Sequence, residues 1–139
     1  MVVFADSSAL AAILLPDDPN HHKALQWVKQ NPDDEIITTD YIIDELYTLI
    51  LARTRNKDWT IKAINDFRGC NWISRIVFIT QSDFYQAEQT FLAYQDKGWS
   101  FTDCTCKIVM QREGITQAFT FDPHFSQFGS IIVVPILFA

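Results

Sequence analysis

The sequence has few cysteines, histidines and glycines, and each shortage excludes a class of protein. Three cysteines are too few, and odd in number, for a disulfide framework, so we expect buried, reduced thiols. Cys104 and Cys106 are too close together for a usual zinc pair, and the three histidines form no matching zinc motif. The four glycines include no Gly-x-Gly-x-x-Gly, which disfavours dinucleotide binding.

Long apolar runs and a basic leader are also missing. The run at residues 9–15 is too short to span a bilayer, and the segment before Asp6 leaves no room for a secretory leader. We therefore expect a cytoplasmic protein with no membrane partner. With 139 residues, 48% hydrophobic and 20% charged, the chain has the composition of a globular protein, and we predict one domain over residues 1–139.

Basic residues are fewer than acidic ones, with 11 Lys and Arg against 17 Asp and Glu. The net charge of −6 argues against bulk electrostatic binding to nucleic acid, although a local basic cluster or a bound metal can reverse the local field. Arg53, Arg55 and Lys57 form such a cluster. Two interpretations remain open for it: the basic end of a helix, where cations are favoured, or a patch that contacts RNA phosphates.

Short apolar segments alternate with longer helical ones. The pattern predicts strands at residues 2–5, 36–39, 76–80 and 115–121, with a candidate fifth at 131–134. It predicts helices at residues 7–15, 20–30, 41–55, 59–68, 82–97 and from about 100 to 113. Asp40 is expected to cap the third helix, and Gly98 and Gly114 to end the last two. Strands separated by helices predict an α/β fold with a central, mostly parallel sheet covered by helices.

Three aspartates are placed to meet at one edge of this sheet. Asp6 follows the first strand and Asp122 follows the fourth. In a parallel sheet the carboxyl ends of these strands face the same edge, where ligands collect. Asp103 lies in the first turn of the last helix, which brings it to the same edge if the helix begins there.

Glu45 is the fourth acidic residue of interest. On a helix its neighbours include Ile42 and Leu49, so it lies in an apolar stripe. A Glu that faced solvent would share the face of Asp44 and Thr48 instead. A charge in an apolar stripe needs a partner, so Glu45 is expected to face a binding site.

Each of these acids also has a purely structural explanation. Asp6 could be a helix cap and Asp103 a favourable charge at a helix start. Asp122 could be a turn residue and Glu45 the buried partner of an Arg. Together, however, several carboxylates at one place repel one another unless a cation lies between them. Their joint placement therefore predicts a site for Mg²⁺ or Mn²⁺, which prefer such oxygen ligands.

Four segments in this order resemble the PIN-domain family, most closely its VapC-type ribonuclease toxins. The segments are Phe-Ala-Asp-Ser-Ser-Ala at 4–9, Asp-Glu-Leu at 44–46, Phe-Thr-Asp-Cys at 101–104 and Thr-Phe-Asp-Pro-His-Phe at 120–125. The resemblance implies a three-layer α/β/α sandwich. It also implies an acidic catalytic and metal-binding quartet of Asp6, Glu45, Asp103 and Asp122, with Ser8 and Thr120 as supporting polar residues. His124 falls at a position that varies in that family, so it is assigned no catalytic role.

The resemblance further implies an activity and partners. The expected protein is an Mg²⁺- or Mn²⁺-dependent endoribonuclease that hydrolyses single-stranded RNA and leaves a 3′-hydroxyl and a 5′-phosphate. Asp6 and Asp103 would be the principal ligands, Asp122 a ligand directly or through water, and Glu45 would bind a second cation or orient the attacking water. A homodimer and a small neutralising antitoxin are expected partners. Two alternatives stay open: a stand-alone housekeeping nuclease, and a non-catalytic domain that binds RNA or protein.

Overall fold

The computed structural model describes residues 1–71 and 73–136, and within them five strands alternate with six α-helices and one 3₁₀ helix. The strands are β1 (Val2–Ala5), β2 (Glu35–Thr39), β3 (Ile73–Val77), β4 (Gln117–Phe119) and β5 (Ile132–Val134). The helices are α1 (Ser7–Leu14), α2 (His21–Gln30), α3 (Asp40–Thr54), α4 (Lys57–Gly69), α5 (Gln81–Ala93) and α6 (Phe101–Glu113), and the 3₁₀ helix is Pro123–Gln127. The predicted order of elements is confirmed, including the candidate fifth strand.

The sheet has the order β3-β2-β1-β4-β5, and all its neighbouring strands are parallel. The predicted three-layer α/β/α fold is therefore confirmed, with a wholly rather than mostly parallel sheet. The chain moves from β1 toward β2 and β3 on one side, and later to β4 and β5 on the other. The carboxyl ends of β1 and β4 consequently border the switch point of the sheet, where open α/β folds place their ligands.

The core lies on both faces of the central strand. Val3 and Phe4 of β1 are fully buried, as expected for a parallel strand covered on both sides. Trp27 of α2 stacks on Phe119 of β4 with ring centroids 4.4 Å apart. The register pairs Ala5 with Phe119, so these two strands end level with each other. The residues that follow them are held side by side.

Four predicted element ends differ from the structure; hydrogen bonds account for three of them and an aromatic contact for the fourth. Thr39, not Asp40, caps α3 by accepting from the Ile42 amide at 3.1 Å, and Asp40 accepts from the Ile79 amide instead. Strand β3 ends at Val77 rather than at residue 80, because Thr80 caps α5.

Strand β4 ends at Phe119 rather than at residue 121, because the Phe121 amide donates to Ser8 Oγ and not to a neighbouring strand. Gly98 does not end α5, which stops at Ala93, where Tyr94 turns to pack against Trp99 at 4.9 Å. Gly114 ends α6 as predicted, with the left-handed φ of 66° that suits glycine.

Two further observations bear on the overall architecture. Cys70, Cys104 and Cys106 are free thiols, which confirms the prediction that no disulfide framework is present among them. Burial raises the pKa of the Cys106 thiol well above its usual value. Among the described helices, none is both long enough and apolar enough to cross a membrane.

Candidate metal centre

Asp6 lies at the centre of the site, between β1 and α1. Its backbone N–H donates to the Phe119 carbonyl at 3.3 Å, and its side chain caps α1 by accepting from the Ala9 amide at 3.1 Å. The same oxygen, Oδ1, accepts from Ser8 Oγ at 2.8 Å, while Oδ2 accepts from Thr120 Oγ1 at 2.8 Å. Asp6 is only 4% exposed, so its carboxylate is fixed by three donors in a buried position.

The hydroxyl groups of Ser8 and Thr120 connect this carboxylate to the chain after β4. Each hydroxyl donates its proton to Asp6 and accepts a backbone N–H in return: Ser8 from Phe121 at 2.9 Å, and Thr120 from Asp122 at 2.9 Å. Both hydroxyls therefore lie beside Asp6, and their role as supporting residues of a metal site stays a prediction. The arrangement couples the position of Asp122 to that of Asp6.

Glu45 reaches the same edge from α3. Ser7, the first residue of α1, donates its hydroxyl proton to Glu45 Oε1. Ile42 is buried and Asp44 is exposed, so Glu45 does lie on the inward side of the helix as its spacing predicts. Among the described residues, no Arg or Lys pairs with Glu45. The explanation of Glu45 as the buried partner of an Arg is therefore wrong.

Asp103 lies at the start of α6, and Asp122 lies in the segment after β4. Asp103 belongs to a capping box at the start of α6, in which its Oδ2 accepts from the Ser100 amide at 3.1 Å and its own amide donates to Ser100 Oγ at 3.0 Å. Asp122 caps the 3₁₀ helix, where its Oδ1 accepts from the His124 amide at 2.9 Å. The His124 imidazole turns back toward Asp103, with Nδ1 2.9 Å from Oδ2.

Asp6 and Glu45 both feel the charge of neighbouring carboxylates. Burial, opposed by the three hydrogen bonds and reinforced by the charge on Asp122, raises the pKa of Asp6 to about 7. Burial also raises the pKa of Glu45, with further contributions from the charges on Asp103 and Asp122. Within the described residues, no Lys or Arg forms an ion pair with any of these acids. In the described part of the chain, the negative charge of these acids is therefore not balanced by a Lys or Arg.

The structural explanations for the three aspartates hold at the same time as their convergence. Each aspartate caps a helix or belongs to a capping box. Donor atoms of Asp103 and Asp122 lie within 4.8 Å of each other, and Asp6 is linked to the Asp122 amide through the Thr120 hydroxyl. A cap fixes the direction of a carboxylate relative to its helix, so capping is how the fold aims these groups at one place. The two interpretations of the sequence are therefore compatible.

The three residues of the basic cluster, Arg53, Arg55 and Lys57, lie in different environments in the structure. Arg53 Nη1 forms an ion pair with Asp18 Oδ2 at 2.6 Å. Arg55 takes a left-handed conformation with φ 51° at the end of α3, and Lys57 begins α4. The interpretation as a basic helix end holds for Arg53. Contact of Arg53, Arg55 and Lys57 with RNA stays a prediction.

Two residues of the site were missed by sequence reasoning. Ser7 had no signal beyond its position next to Asp6, since its contact with Glu45 depends on how α1 packs against α3. His124 was set aside, yet it contacts one acidic residue and follows another. The donor atoms of Asp103, Asp122 and His124 all lie within 4.8 Å of one another, and this grouping is a candidate metal-binding set.

The fold and the cluster together define an α/β/α protein with a carboxylate centre at the switch point of its sheet. In sequence the chain is similar to VapC20 of Mycobacterium tuberculosis, a 23S rRNA-specific endonuclease, with 27% identity over 135 residues that cover 96% of this chain and 99% of VapC20. The crystal structure of VapC20, described as a Sarcin-Ricin loop cleaving toxin, matches with a TM-score of 0.80 at 26% identity, covering 93% of this chain and 95% of that one.

Two more distant structures share the fold. A chain of the VapBC2 complex from Rickettsia felis, bound to a DNA fragment from their promoter, matches with a TM-score of 0.68 at 11% identity over 96% of this chain and 97% of that one. A chain of FitAcB from Neisseria gonorrhoeae matches with a TM-score of 0.67 at 15% identity over 96% of each chain. No family model matches the sequence.

Proposed function

We propose that this protein is a metal-dependent endoribonuclease of the VapC type, acting as the toxin of a toxin–antitoxin pair. The observation that carries the proposal is the proximity of Asp103 and Asp122, whose donor atoms lie within 4.8 Å of each other at this edge of the sheet. Asp6 is linked to the Asp122 amide through Thr120, and the charges of Asp103 and Asp122 act on Glu45. We infer that all four acids, Asp6, Glu45, Asp103 and Asp122, serve one centre. The similarity to VapC20 over nearly the whole of both chains supports it. Residues 1–139 would form one PIN-like nuclease domain.

The donor set fits a hard divalent cation. Carboxylate oxygens dominate it, and such oxygens are the ligands that Mg²⁺ and Mn²⁺ prefer. Burial is the main cause of the raised pKa of Asp6 and Glu45, and the charges of neighbouring carboxylates add to it. We assign all four acids as ligands; Asp6 and Asp103 are buried, whereas Glu45 and Asp122 are partly exposed. When bound, Mg²⁺ or Mn²⁺ supplies positive charge against the phosphate and lowers the pKa of water.

The chain's own residues supply position and proton transfer. Asp6, held by the Ser8 and Thr120 hydroxyls and the Ala9 amide, is a rigid anchor for the rest of the centre. Asp103 is fixed by the α6 capping box, in which Oδ2 is the oxygen that accepts from Ser100. Such preorganisation matters because hydrolysis requires the phosphate and the attacking water to be aligned within a fraction of an ångström.

Glu45 is suited to orient the attacking water. Ser7 occupies Oε1, which leaves Oε2 to accept a hydrogen bond from water, and a carboxylate with a raised pKa takes up a proton more readily. In the proposed reaction the water oxygen bonds to phosphorus and the bond from phosphorus to the 3′-oxygen breaks. The water proton passes toward Glu45, and the leaving oxygen gains a proton, which gives a 5′-phosphate and a 3′-hydroxyl.

The proposed substrate is RNA, for which VapC20 is the guide. That relative is named for specificity toward 23S rRNA. On this chain Arg53 is already paired with Asp18, so Arg55 and Lys57 are the better candidates for contacts with RNA phosphates. Arg55 lies at the end of α3, beyond Glu45, and Lys57 lies at the start of α4. In the proposed complex they contact the part of the RNA that extends away from the cleaved bond.

The proposed protein partners are a second copy of the chain and a small antitoxin. Helix α5 exposes large apolar side chains, with Leu92 64% and Phe91 47% exposed, which a dimer interface could cover. An antitoxin that inserts a basic side chain among the four carboxylates would neutralise their charge and block the substrate. If the protein is a housekeeping nuclease, no such antitoxin is expected. If it is a non-catalytic binding domain, no cleavage is expected.

A cleavage assay on 23S rRNA and on a Sarcin-Ricin loop oligonucleotide tests the proposal. We expect the wild type to cut RNA with Mn²⁺ and to stop in EDTA. Asp6→Asn should lower the rate at least about 100-fold, since it alters a group that fixes the whole centre. The exposed neighbour of Glu45 supplies a matched control, Asp44→Asn, which should keep its activity.

Equal cleavage by wild type and Asp6→Asn would contradict the proposal, because a contaminating ribonuclease would explain it. Binding of RNA without cleavage at any Mn²⁺ concentration would favour the non-catalytic domain instead.

A further inference from the structure

His124 is held at the acidic cluster by the local fold. Pro123 occupies the first turn of the 3₁₀ helix, where its fixed φ favours the helical start. The Asp122 carboxylate accepts from the backbone N–H of His124 at 2.9 Å, which fixes the backbone beneath the ring. The imidazole Nδ1 consequently lies 2.9 Å from Asp103 Oδ2 and 3.5 Å from Asp122 Oδ1.

These separations match the spacing of ligands around one ion. Neighbouring ligand atoms on an octahedral ion are about 3 Å apart when each lies about 2.1 Å from the metal. The three donor atoms of Asp103, Asp122 and His124 all fall within 4.8 Å of one another. The side chain of His124 is 33% exposed, so the ring borders the open side of the cluster.

A nitrogen donor changes which ion a site prefers. Mg²⁺ selects oxygen ligands almost exclusively, whereas imidazole suits first-row transition ions. We propose that His124 contributes Nδ1 as a ligand beside Asp103 and Asp122, and that this nitrogen biases the centre toward Mn²⁺ over Mg²⁺. The inference rests on the proposed function and names the ion that its centre prefers. As a ligand, the neutral ring offers the Nδ1 lone pair and carries its proton on Nε2.

The alternative role for His124 is purely one of position. In that role Nδ1–H donates to Asp103 and holds the carboxylate in place, whatever ion is bound. Loss of the ring would then weaken binding of Mn²⁺ and Mg²⁺ to the same degree. A ligand role predicts unequal loss, so the ratio of the two affinities separates the two roles.

Titration calorimetry with MnCl₂ and with MgCl₂ tests the inference on wild type, His124→Asn and His22→Asn. Asn keeps a polar side chain of similar reach but offers an oxygen instead of the ring nitrogen. We expect His124→Asn to weaken Mn²⁺ binding about 10-fold and Mg²⁺ binding less than about 2-fold. His22 is exposed on α2, so its variant should bind both ions as the wild type does.

Pulsed electron paramagnetic resonance of bound Mn²⁺ gives a readout that does not depend on the variant's fold. A histidine ligand produces ¹⁴N modulation, which we expect in the wild type and in His22→Asn and not in His124→Asn. A wild-type spectrum without ¹⁴N modulation overturns the inference even if His124→Asn fails to fold.

The remaining outcomes distinguish this inference from the proposed function. Tight binding of both ions by the wild type, with an unchanged ratio in His124→Asn, overturns the role of His124 and leaves the nuclease proposal standing. Binding of neither ion by the wild type overturns the metal centre itself, and this inference with it.

Discussion

In the metal-free protein, the hydrogen bonds to Asp6 favour its charged form, whereas its burial disfavours that form. As the cap of α1 and the acceptor of two hydroxyl protons it is well placed as an anion. Burial nevertheless disfavours that charge and raises its pKa to about 7. A cation at the cluster resolves the conflict, because an opposite charge nearby lowers the pKa of a carboxyl group. We therefore expect metal binding to displace a proton from Asp6 near neutral pH.

The raised pKa of Asp6 predicts that the stability of the folded protein depends on pH. Because the pKa of Asp6 is higher in the folded than in the unfolded state, its contribution to stability is present at low pH and is lost as the pH rises through about 7. In EDTA, the free energy of unfolding of the wild type should fall between pH 6 and 8 by about 1.4 kcal/mol relative to Asp6→Asn. Urea unfolding of both proteins at three pH values measures the difference.

Saturating Mn²⁺ should remove this pH dependence in the wild type, which serves as the control. A difference between wild type and Asp6→Asn that stays constant from pH 6 to 8 would show that Asp6 does not titrate there.

The residues of the site differ in how far the sequence could reveal them. The four acids were predicted from strand ends, helix periodicity and the family resemblance, whereas Ser8 and Thr120 were predicted from the resemblance alone. Ser7 and His124 were not, because their contacts are tertiary. Ser7 meets Glu45 only once α1 packs on α3, and His124 meets Asp103 only once α6 and the 3₁₀ helix are adjacent.

At the scale of elements, the starts of helices decide the geometry of the site. Helices α5 and α6 begin with the same capping box, formed by Thr80 with Asp83 and by Ser100 with Asp103. In α5 the aspartate pairs with Arg112 at 2.7 Å and is structural. In α6, among the residues that the structure describes, the aspartate pairs with no Arg or Lys and contacts His124 instead. The same capping box thus stabilises the fold in α5 and positions a proposed metal ligand in α6.

The two boxes provide a matched pair of variants. Ser100→Ala and Thr80→Ala each remove one cap and should each cost about 1 kcal/mol in unfolding free energy. Only Ser100→Ala should also weaken Mn²⁺ binding, by a factor of about 2 to 10, because it loosens the turn that positions Asp103. Urea unfolding and Mn²⁺ titration of both variants test this. Equal loss of Mn²⁺ affinity in the two variants would contradict the assignment of Asp103 as a ligand.

Element boundaries were harder to predict than element order. Thr39 and Asp40 are both good caps, and local preference does not choose between them; the choice depends on Asp40 bonding to the distant Ile79 amide. Similarly, Gly98 suited a helix end by type, but α5 had already stopped where Tyr94 packs on Trp99. Both of these errors arose where a tertiary contact overrode a local signal.

At the scale of the whole molecule, alternation of strands and helices was enough to predict a parallel α/β fold. The strand order β3-β2-β1-β4-β5 was not predicted, because periodicity shows which segments are strands and not which strands pair. That order is what brings Asp6 and Asp122 to neighbouring strand ends. The homodimer and the antitoxin stay predictions, since both depend on surfaces of other chains.

The central claim is that this sheet edge holds a divalent cation between converging carboxylates. Anomalous diffraction from crystals soaked in Mn²⁺ tests it most directly. We predict a peak about 2.0–2.4 Å from oxygens of Asp103 and Asp122, with Asp6 and Glu45 lining the same centre. The peak should vanish in crystals of Asp103→Asn grown and soaked in the same way. An Mn²⁺-soaked wild-type crystal with no peak at this edge, or with peaks only elsewhere on the surface, would contradict the account.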